Sequence, residues 1–419
     1  MLSKKVTMRW IILVSLYVLV EIYAYQAIRA ITKNQVIQIG YLVISVLLIS
    51  YVIYVFANYD RSVGPTKYTL RASGILFTTL VPKLILVLFM FGEDIIRVCV
   101  ACYNYFSNTF FEGTAPKYLP DRRKFVSQIA LGIAAIPFAG LLHGIFRGKY
   151  NYKVITHVLH FDDLPDAFDG YRITQISDIH SGSFDEREKI EYAVDLINEQ
   201  EMDLLLFTGD IVNTVAEEMD EWIDTFKRLK TPKHGKFSVL GNHDYGEYVT
   251  WETQEEKDAN FEAIKDVHRK IDFRLLLNES EYVEQDGARI AIVGVENWGH
   301  NFKKAGDLTK ASENISKDDF KILLSHDPSH WEYEVKNHDD HYHLTLSGHT
   351  HGFQFGIEIP GFLRWSPVQY VYKQWAGMYS EMGKYLNVNR GFGFHAFPGR
   401  VGIWPEITVI ELRKSKAVT

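Results

Sequence analysis

The sequence predicts a membrane-spanning helical region over residues 1–150, followed by an α/β domain over residues 151–419. Three observations carry that reading. Four apolar runs of about 20 residues, the length a bilayer-crossing helix needs, fall within the first 150 positions. From Tyr171 onward, short apolar β-rich runs alternate with amphipathic helical segments. Five of those runs stop at clusters of Asp, Asn and His, where side chains from neighbouring strand ends can converge.

The apolar runs occupy residues 10–28, 38–57, 73–92 and 126–146. The first carries one carboxylate, Glu21, and Ile39–Ala57 carries no charge. Pro82 and Lys83 interrupt the third, which either ends near Phe91 or extends through Asp94–Phe106 as an interfacial helix. Arg122, Arg123 and Lys124 precede the fourth, and Arg147 and Lys149 follow it. Four such runs in 150 residues argue against buried helices of a soluble all-α domain and for a multi-pass membrane protein. Its orientation is left open. Lys and Arg number nine on one side of the four spans and seven on the other. Arg122-Arg123-Lys124-Phe125-Val126 resembles a twin-arginine export signal, and reads equally well as a pair of interface anchors.

Residues 1–150 hold 16 Lys and Arg against 6 Asp and Glu, and the remainder holds 29 against 46, a net charge of −17. A domain that acidic is a poor general binder of nucleic-acid backbone, so no nucleic-acid partner is expected. Two cysteines, Cys99 and Cys102, both in an apolar stretch, exclude a disulfide scaffold and a zinc finger.

In the second part, Arg172–Ser177 predicts a strand, Glu186–Glu199 an amphipathic helix and Leu204–Thr208 a second strand. A helix over Glu217–Leu229 and a strand at Phe237–Leu240 follow. Helix Glu256–Ile271 leads into strands at Arg274–Leu277 and Arg289–Val295. Later strands are predicted at Lys321–Leu324, His343–Leu346, Tyr385–Val388 and Ile407–Leu412.

The chemistry lies just past those strand ends. In order the clusters are Asp178-Ile179-His180, Gly209-Asp210, Gly241-Asn242-His243-Asp244, Ser325-His326-Asp327 and Gly348-His349-Thr350-His351-Gly352. Carboxylate, imidazole and one amide form a mixed O/N ligand set suited to Mn, Fe or Zn rather than calcium. Residues two apart in an extended segment point the same way, so Asp178 with His180, and His349 with His351, can each address one crevice. Each cluster alone is weak, since a Gly-Asp after a strand is usually a turn. Five in this order are specific.

These strings resemble the calcineurin-like metallophosphoesterase superfamily over roughly residues 152–413. Ser325-His326-Asp327-Pro328, Ser347-Gly348-His349-Thr350-His351-Gly352 and Pro405-Glu406-Ile407 are similar to a bacterial, membrane-associated branch with phosphodiesterase-like proteins and UDP-2,3-diacylglucosamine hydrolases. The resemblance implies two mixed β-sheets packed as a sandwich with flanking helices. It also implies two divalent metal ions, the first held by Asp178, His180 and His351 and the second by Asn242, His326 and His349, with Asp210 bridging them. It places His243 beyond the metals as the catalytic residue, facing substrate. Two cations about 3.5–4 Å apart suit phosphate ester hydrolysis, and a protonated imidazole suits the leaving alkoxide. Asp244 reads as a partner for that imidazole or as a turn-stabilising residue.

Some positions depart from the family pattern. Asn213 stands where many relatives carry a second aspartate and reads as a residue behind the ligands. Phe353 replaces a glycine and places a bulky ring beside the site. Arg390 reads as a surface arginine, with phosphate contact as the alternative, and the run His338 to His343 as a solvated loop. The whole reads as a membrane-anchored, metal-dependent phosphoric ester hydrolase. It is expected to cleave a phosphodiester or pyrophosphate bond in a lipid-linked or envelope substrate. A phosphomonoesterase on the same site and a non-catalytic metal-binding scaffold are the alternatives. The filled ligand positions weigh against the scaffold.

Overall fold

The computed structural model describes residues 4–110, 121–359 and 361–415. The chain divides into two units, residues 1–58 with 71–143 and residues 59–70 with 144–419.

The first unit is helical. Its helices are α1 (Lys4–Ile31), α2 (Gln35–Ala57), α3 (Lys67–Phe110) and α4 (Asp121–Phe146). Each contains a segment long and apolar enough to cross a membrane, and the protein is a multi-pass membrane protein. Asn34 starts α2 by accepting a hydrogen bond from the Val36 amide, which satisfies one of the helix's free donors. The third apolar run does not end near Phe91. It continues as one helix to Phe110, with Pro82 inside it. The charges past Phe91 are tolerated because they neutralise one another. Arg97 lies 3.6 Å from Glu93 and 3.7 Å from Asp94, and Arg123 of α4 lies 3.1 Å from Asp94. Lys83 is likewise answered within the unit. Its Nζ lies 2.6 Å from Glu21 Oε2, 2.5 Å from Ser45 Oγ and 3.0 Å from the Tyr17 hydroxyl. Arg123 therefore acts inside the helical unit, as an ion-pair partner rather than a free interface anchor.

The second unit is built on two mixed six-stranded sheets. The first runs β1 (Lys153–Phe161), β14 (Glu406–Lys414), β2 (Arg172–Ile176), β3 (Leu204–Phe207), β4 (Lys236–Ser238), β5 (Arg274–Leu275). The second runs β12 (Gly377–Glu381), β13 (Lys384–Val388), β9 (Leu344–Ser347), β8 (Lys321–Leu324), β7 (Ala288–Gly294), β6 (Glu279–Gln285). Strands β2 to β5 pair in parallel, as do β13, β9, β8 and β7, so their C-terminal ends line up. A separate two-stranded hairpin, β10 (Ile357–Ile359) and β11 (Leu363–Trp365), completes the strand set.

Alternation explains the layers. Leu204 and Leu206 point with Ile173 into the space between the sheets, where they meet Ile292, Ile322, Leu324, Leu344 and Leu346. Leu205 and Phe207 point the other way, onto α5 (Arg187–Asn198) and α7 (Gln254–Lys270) through Ile190, Val194, Ile264 and Val267. A strand buried on both faces needs a continuous apolar run, which is what Leu204 to Phe207 supplies. Each such side chain contributes about 1.5–3 kcal/mol on burial. The helix expected over Glu217–Leu229 is broken into a turn of 3-10 helix, Ala216–Met219, and α6 (Ile223–Lys227). Glu218 turns inward there to accept from the amides of Asn213, Thr214 and Val215, which uses its side chain to end a loop rather than extend a helix.

Candidate metal centre

Each parallel strand of the inner sheets hands its chain to a loop at the same end of the sandwich. Asp178 and His180 follow β2, Asp210 follows β3, and Asn242 and His243 follow β4. His326 follows β8, and His349 and His351 follow β9. The loops are laced by backbone bonds: Asp178 N to Gly209 O at 2.9 Å, His180 N to Asp210 O at 3.1 Å and Gly348 N to His326 O at 2.9 Å.

Five of these residues, Asp178, His180, Asp210, His349 and His351, hold φ between 49° and 71°. That left-handed region disfavours a residue with a β-carbon, and its concentration here is backbone strain held in place by the surrounding bonds. Gly348 lets the loops close. A β-carbon there would sit 1.9 Å from Ser177 Oγ and 2.1 Å from Asp178 Oδ2.

The side chains converge. Asp178, His180 and His351 each offer a ligand atom, and these atoms lie within 4.8 Å of one another. The same holds for Asp210, His326 and His349, and for His180, Asp210 and His243. Asp210 Oδ2 lies 3.1 Å from His326 Nε2 and 3.6 Å from His180 Nε2, between the two groups. Asn242 Oδ1 lies 2.7 Å from His349 Nδ1, which brings the amide to the second group. Nearly all of this is buried, with His349 half-buried.

Three imidazole nitrogens of this cluster, Nε2 of His180, His326 and His351, are buried without a hydrogen-bond partner. A buried polar atom left so is costly unless something else satisfies it, and a cation does. For two of them the other nitrogen fixes the tautomer. His180 Nδ1 donates to Asn213 Oδ1 at 3.0 Å and His326 Nδ1 to the Thr208 carbonyl at 2.7 Å, so Nε2 is the nitrogen each leaves for a metal. His351 differs: its Nδ1 lies 3.0 Å from Nη2 of the fully buried Arg400. The donor set of neutral imidazole, carboxylate and amide oxygen fits a pair of divalent ions. Burial and the adjacent His243 hold His180 well below its ordinary value, which keeps it in the ligating form. Burial acts on His326 too, but Asp210 and Asp178 outweigh it and push that imidazole up to about 10, so a metal must displace its proton.

Residues behind the ligands hold them. Asn213 serves two imidazoles, since its backbone carbonyl also accepts from His243 Nδ1 at 2.7 Å. Asp244 does not touch the His243 ring in that network. Its carboxylate accepts from the amides of Asp210, Ile211 and Gly241, so it is the turn-stabilising residue.

Several contributors went unread in the sequence. His395, past the end of β13, stacks on His180 with centroids 5.1 Å apart and meets His243 edge-on at 4.6 Å. Tyr248 stacks on His243 at 4.2 Å. The Tyr372 hydroxyl bonds His349 Nε2 at 2.7 Å and reaches Asp327. None of these sits in a motif; only the fold brings them near. Arg390 is not a surface residue. It is buried against Glu406 and Glu358. The run from His338 to His343 joins no metal-ligating group among the described residues, and its Tyr342 belongs to the core outside the second sheet. Phe353 is half-exposed at a φ of 50°.

Two family models match the chain. Residues 8–149 match the family described as probable calcineurin-like phosphoesterase, transmembrane domain, and residues 171–353 match the calcineurin-like phosphoesterases. The chain is 30% identical over 303 residues to the uncharacterized metallophosphoesterase YkuE of Bacillus subtilis (strain 168), covering 70% of this chain and 98% of that one. It is 26% identical to an uncharacterized metallophosphoesterase of Helicobacter pylori (strain J99), covering 70% and 73%. It is also 26% identical to a transmembrane protein with metallophosphoesterase domain from Danio rerio, covering 65% of this chain and 60% of that one.

Proposed function

This chain belongs to the calcineurin-like metallophosphoesterases with an N-terminal four-helix transmembrane domain, and from that premise we propose that it hydrolyses a phosphodiester or pyrophosphate bond in a lipid-linked substrate. The observation that carries the reading is the convergence of the three orphaned Nε2 atoms on the carboxylates of Asp178 and Asp210. Asp178, His180 and His351 would hold one divalent ion, Asn242, His326 and His349 the other, and Asp210 both. When bound, such a pair polarises phosphoryl oxygens and makes hydroxide available from water at neutral pH.

The chain's own groups do the rest. His243 is held by its Nδ1–H on the Asn213 carbonyl, which reserves Nε2 for the substrate. Burial holds the ring below its ordinary value, so a proton gained at Nε2 is readily handed to the leaving oxygen, and Tyr248 stacked on the ring fixes its plane. The lipid-linked substrate is supported by the four spans that confine the catalytic unit to a bilayer.

The test is hydrolysis of bis-p-nitrophenyl phosphate by the purified full chain with Mn²⁺, beside Asp210→Ala and His243→Ala. Wild-type turnover lost in both variants supports the reading. Turnover of p-nitrophenyl phosphate alone would convert it to a monoesterase, and wild-type activity no better than the variants on either ester would end it.

A further inference from the structure

We propose that the β10–β11 hairpin is a bilayer-docking finger that seats the catalytic unit on lipid beside its metal centre. The hairpin is amphipathic the wrong way round for a soluble protein. Register pairs Ile357 with Trp365, Glu358 with Arg364 and Ile359 with Leu363. Successive side chains alternate, so the polar pair shares one face and the apolar residues the other. The polar face is tied to the domain through both its members, although Arg364 stays partly open and Trp365 of the apolar face is half-buried against Phe355. Glu358 bonds Arg390 at 2.5 and 3.1 Å, and Arg364 donates to the Ala376 carbonyl at 2.7 Å. Ile357, Ile359 and Leu363 are left exposed, and Phe362 at the turn is 83% exposed. Just beyond the hairpin, Tyr370 is 77% exposed and Val371 is also open. A run of apolar side chains turned outward in this way marks an interaction surface.

The occupant follows from where the hairpin is rooted. Gln354 and Gly356, at its base, bond Val401 on both sides, the Val401 amide to the Gln354 carbonyl at 2.7 Å and the Gly356 amide to the Val401 carbonyl at 2.9 Å. The neighbouring Arg400 amide donates to the carbonyl of Gly144 at 3.2 Å. Gly144 lies in the last turn of α4, within the apolar segment long enough to cross a membrane, and groups with the catalytic unit. The approach is close. A β-carbon at Gly144 would stand 2.7 Å, and one at Gly148 2.2 Å, from the Arg400 carbonyl oxygen. The hairpin's base is thus linked, through Val401 and Arg400, to the last turn of a helix long and apolar enough to cross a membrane, and this continuity favours lipid as its occupant.

The excursion is also bracketed by the site. It begins after His351 and returns at Tyr372, whose hydroxyl bonds His349. A phosphate ester carried on an acyl chain would meet the apolar finger and the metal centre together; this last consequence rests on the proposed reaction, whereas the docking does not.

Depth in the membrane decides it. In the full chain carrying Cys99→Ser and Cys102→Ser, a fluorophore is placed on Phe362→Cys or, as control, on Tyr192→Cys, an exposed position on α5. Each is reconstituted into phosphatidylcholine vesicles with and without chain-brominated phosphatidylcholine. Bromine is expected to quench the label at 362 about threefold more than that at 192. Equal quenching overturns the proposal, as does excimer emission between labels at 362, which would assign the face to a second copy. A second arm uses Phe362→Asp. Hydrolysis of soluble bis-p-nitrophenyl phosphate is expected to hold, while hydrolysis of a diacylglycerol p-nitrophenyl phosphodiester in vesicles falls about tenfold. Equal loss on both overturns the finger's role. Failure of the wild type on both esters would sink the reaction while the quenching result still decides the docking.

Discussion

Glu21 in the helical unit and Asp210 in the catalytic unit are both carboxylates withdrawn from water, yet they are neutralised in opposite ways. Glu21 meets an ammonium, Lys83 Nζ at 2.6 Å, with the Ser45 hydroxyl between them. The charge is answered by the chain itself. Asp210 meets imidazoles, His326 and His180, and Asp178 meets His351. Imidazoles are good metal ligands and weak counter-ions, because in the ligating form they carry no charge. The first cluster balances its charge within the chain, whereas the donor set of the second suits cations. A helix pair in a bilayer must close its own electrostatics, while a catalytic crevice can leave them open to a bound ion.

The most severe way to break that contrast is to remove what completes the second cluster. Chelation, or Asp210→Ala, is expected to lower kcat/KM for bis-p-nitrophenyl phosphate on the order of 10³-fold, with metal content measured on the same samples. Full activity in metal-free protein would show the cluster to be self-sufficient like the first. In the helical unit, Lys83→Met should destabilise by about 3–5 kcal/mol in detergent unfolding, because Glu21 is left unpaired, and Lys83→Met with Glu21→Gln should recover most of it. A harmless single substitution would mean the pair is solvated.

Smaller effects sharpen the picture. Asn213→Ala frees the His180 ring and the Ser183 hydroxyl while keeping the carbonyl that holds His243, and a loss of about 10- to 100-fold in metal affinity or turnover is expected from removing such a support. Calorimetric titration with Mn²⁺ would measure it. His268 offers a buried imidazole with neither carboxylate nor metal. It bonds Ser238 Oγ at 2.8 Å, and burial pushes it down to about 3. A depressed folded value means stability that is present above the unfolded value near 6.5 and lost as pH falls toward 3. Roughly 2 kcal/mol should already be gone by pH 5. Denaturant unfolding at pH 7 and pH 5 should show His268→Gln flattening that dependence, and an unchanged slope would place the acid sensitivity elsewhere.

Much of the fold was legible because burial on both faces writes itself as unbroken apolar runs such as Leu204–Phe207 and the Ile322-Leu323-Leu324 of β8. The clusters were legible because each sits where such a run stops. Edge elements were not. β6 and β12 carry polar residues along their length, and the β10–β11 hairpin follows an alternation that points its apolar side outward. The continuity of α3 was hidden by Glu93, Asp94 and Arg97, whose mutual pairing exists only once the helix forms. Arg390 was misread because its partners, Glu358 and Glu406, lie 32 and 16 residues away in sequence. The left-handed backbone at Asp178, His180, Asp210, His349 and His351 left no trace in residue type, since neither Asp nor His is reserved for that conformation.

The strand-end arrangement has a thermodynamic consequence. Asp178, His180, Asp210 and Asn242 come from the first sheet and His326, His349 and His351 from the second, so an ion held by both groups binds only a chain whose two sheets are already docked. Metal then enters the folding equilibrium by mass action. At a free concentration 100 times its Kd it adds about 2.7 kcal/mol to the docked state and nothing to the unfolded one. For this protein, the metal supply of its compartment would set the fraction of chains whose catalytic unit is assembled, before any substrate arrives.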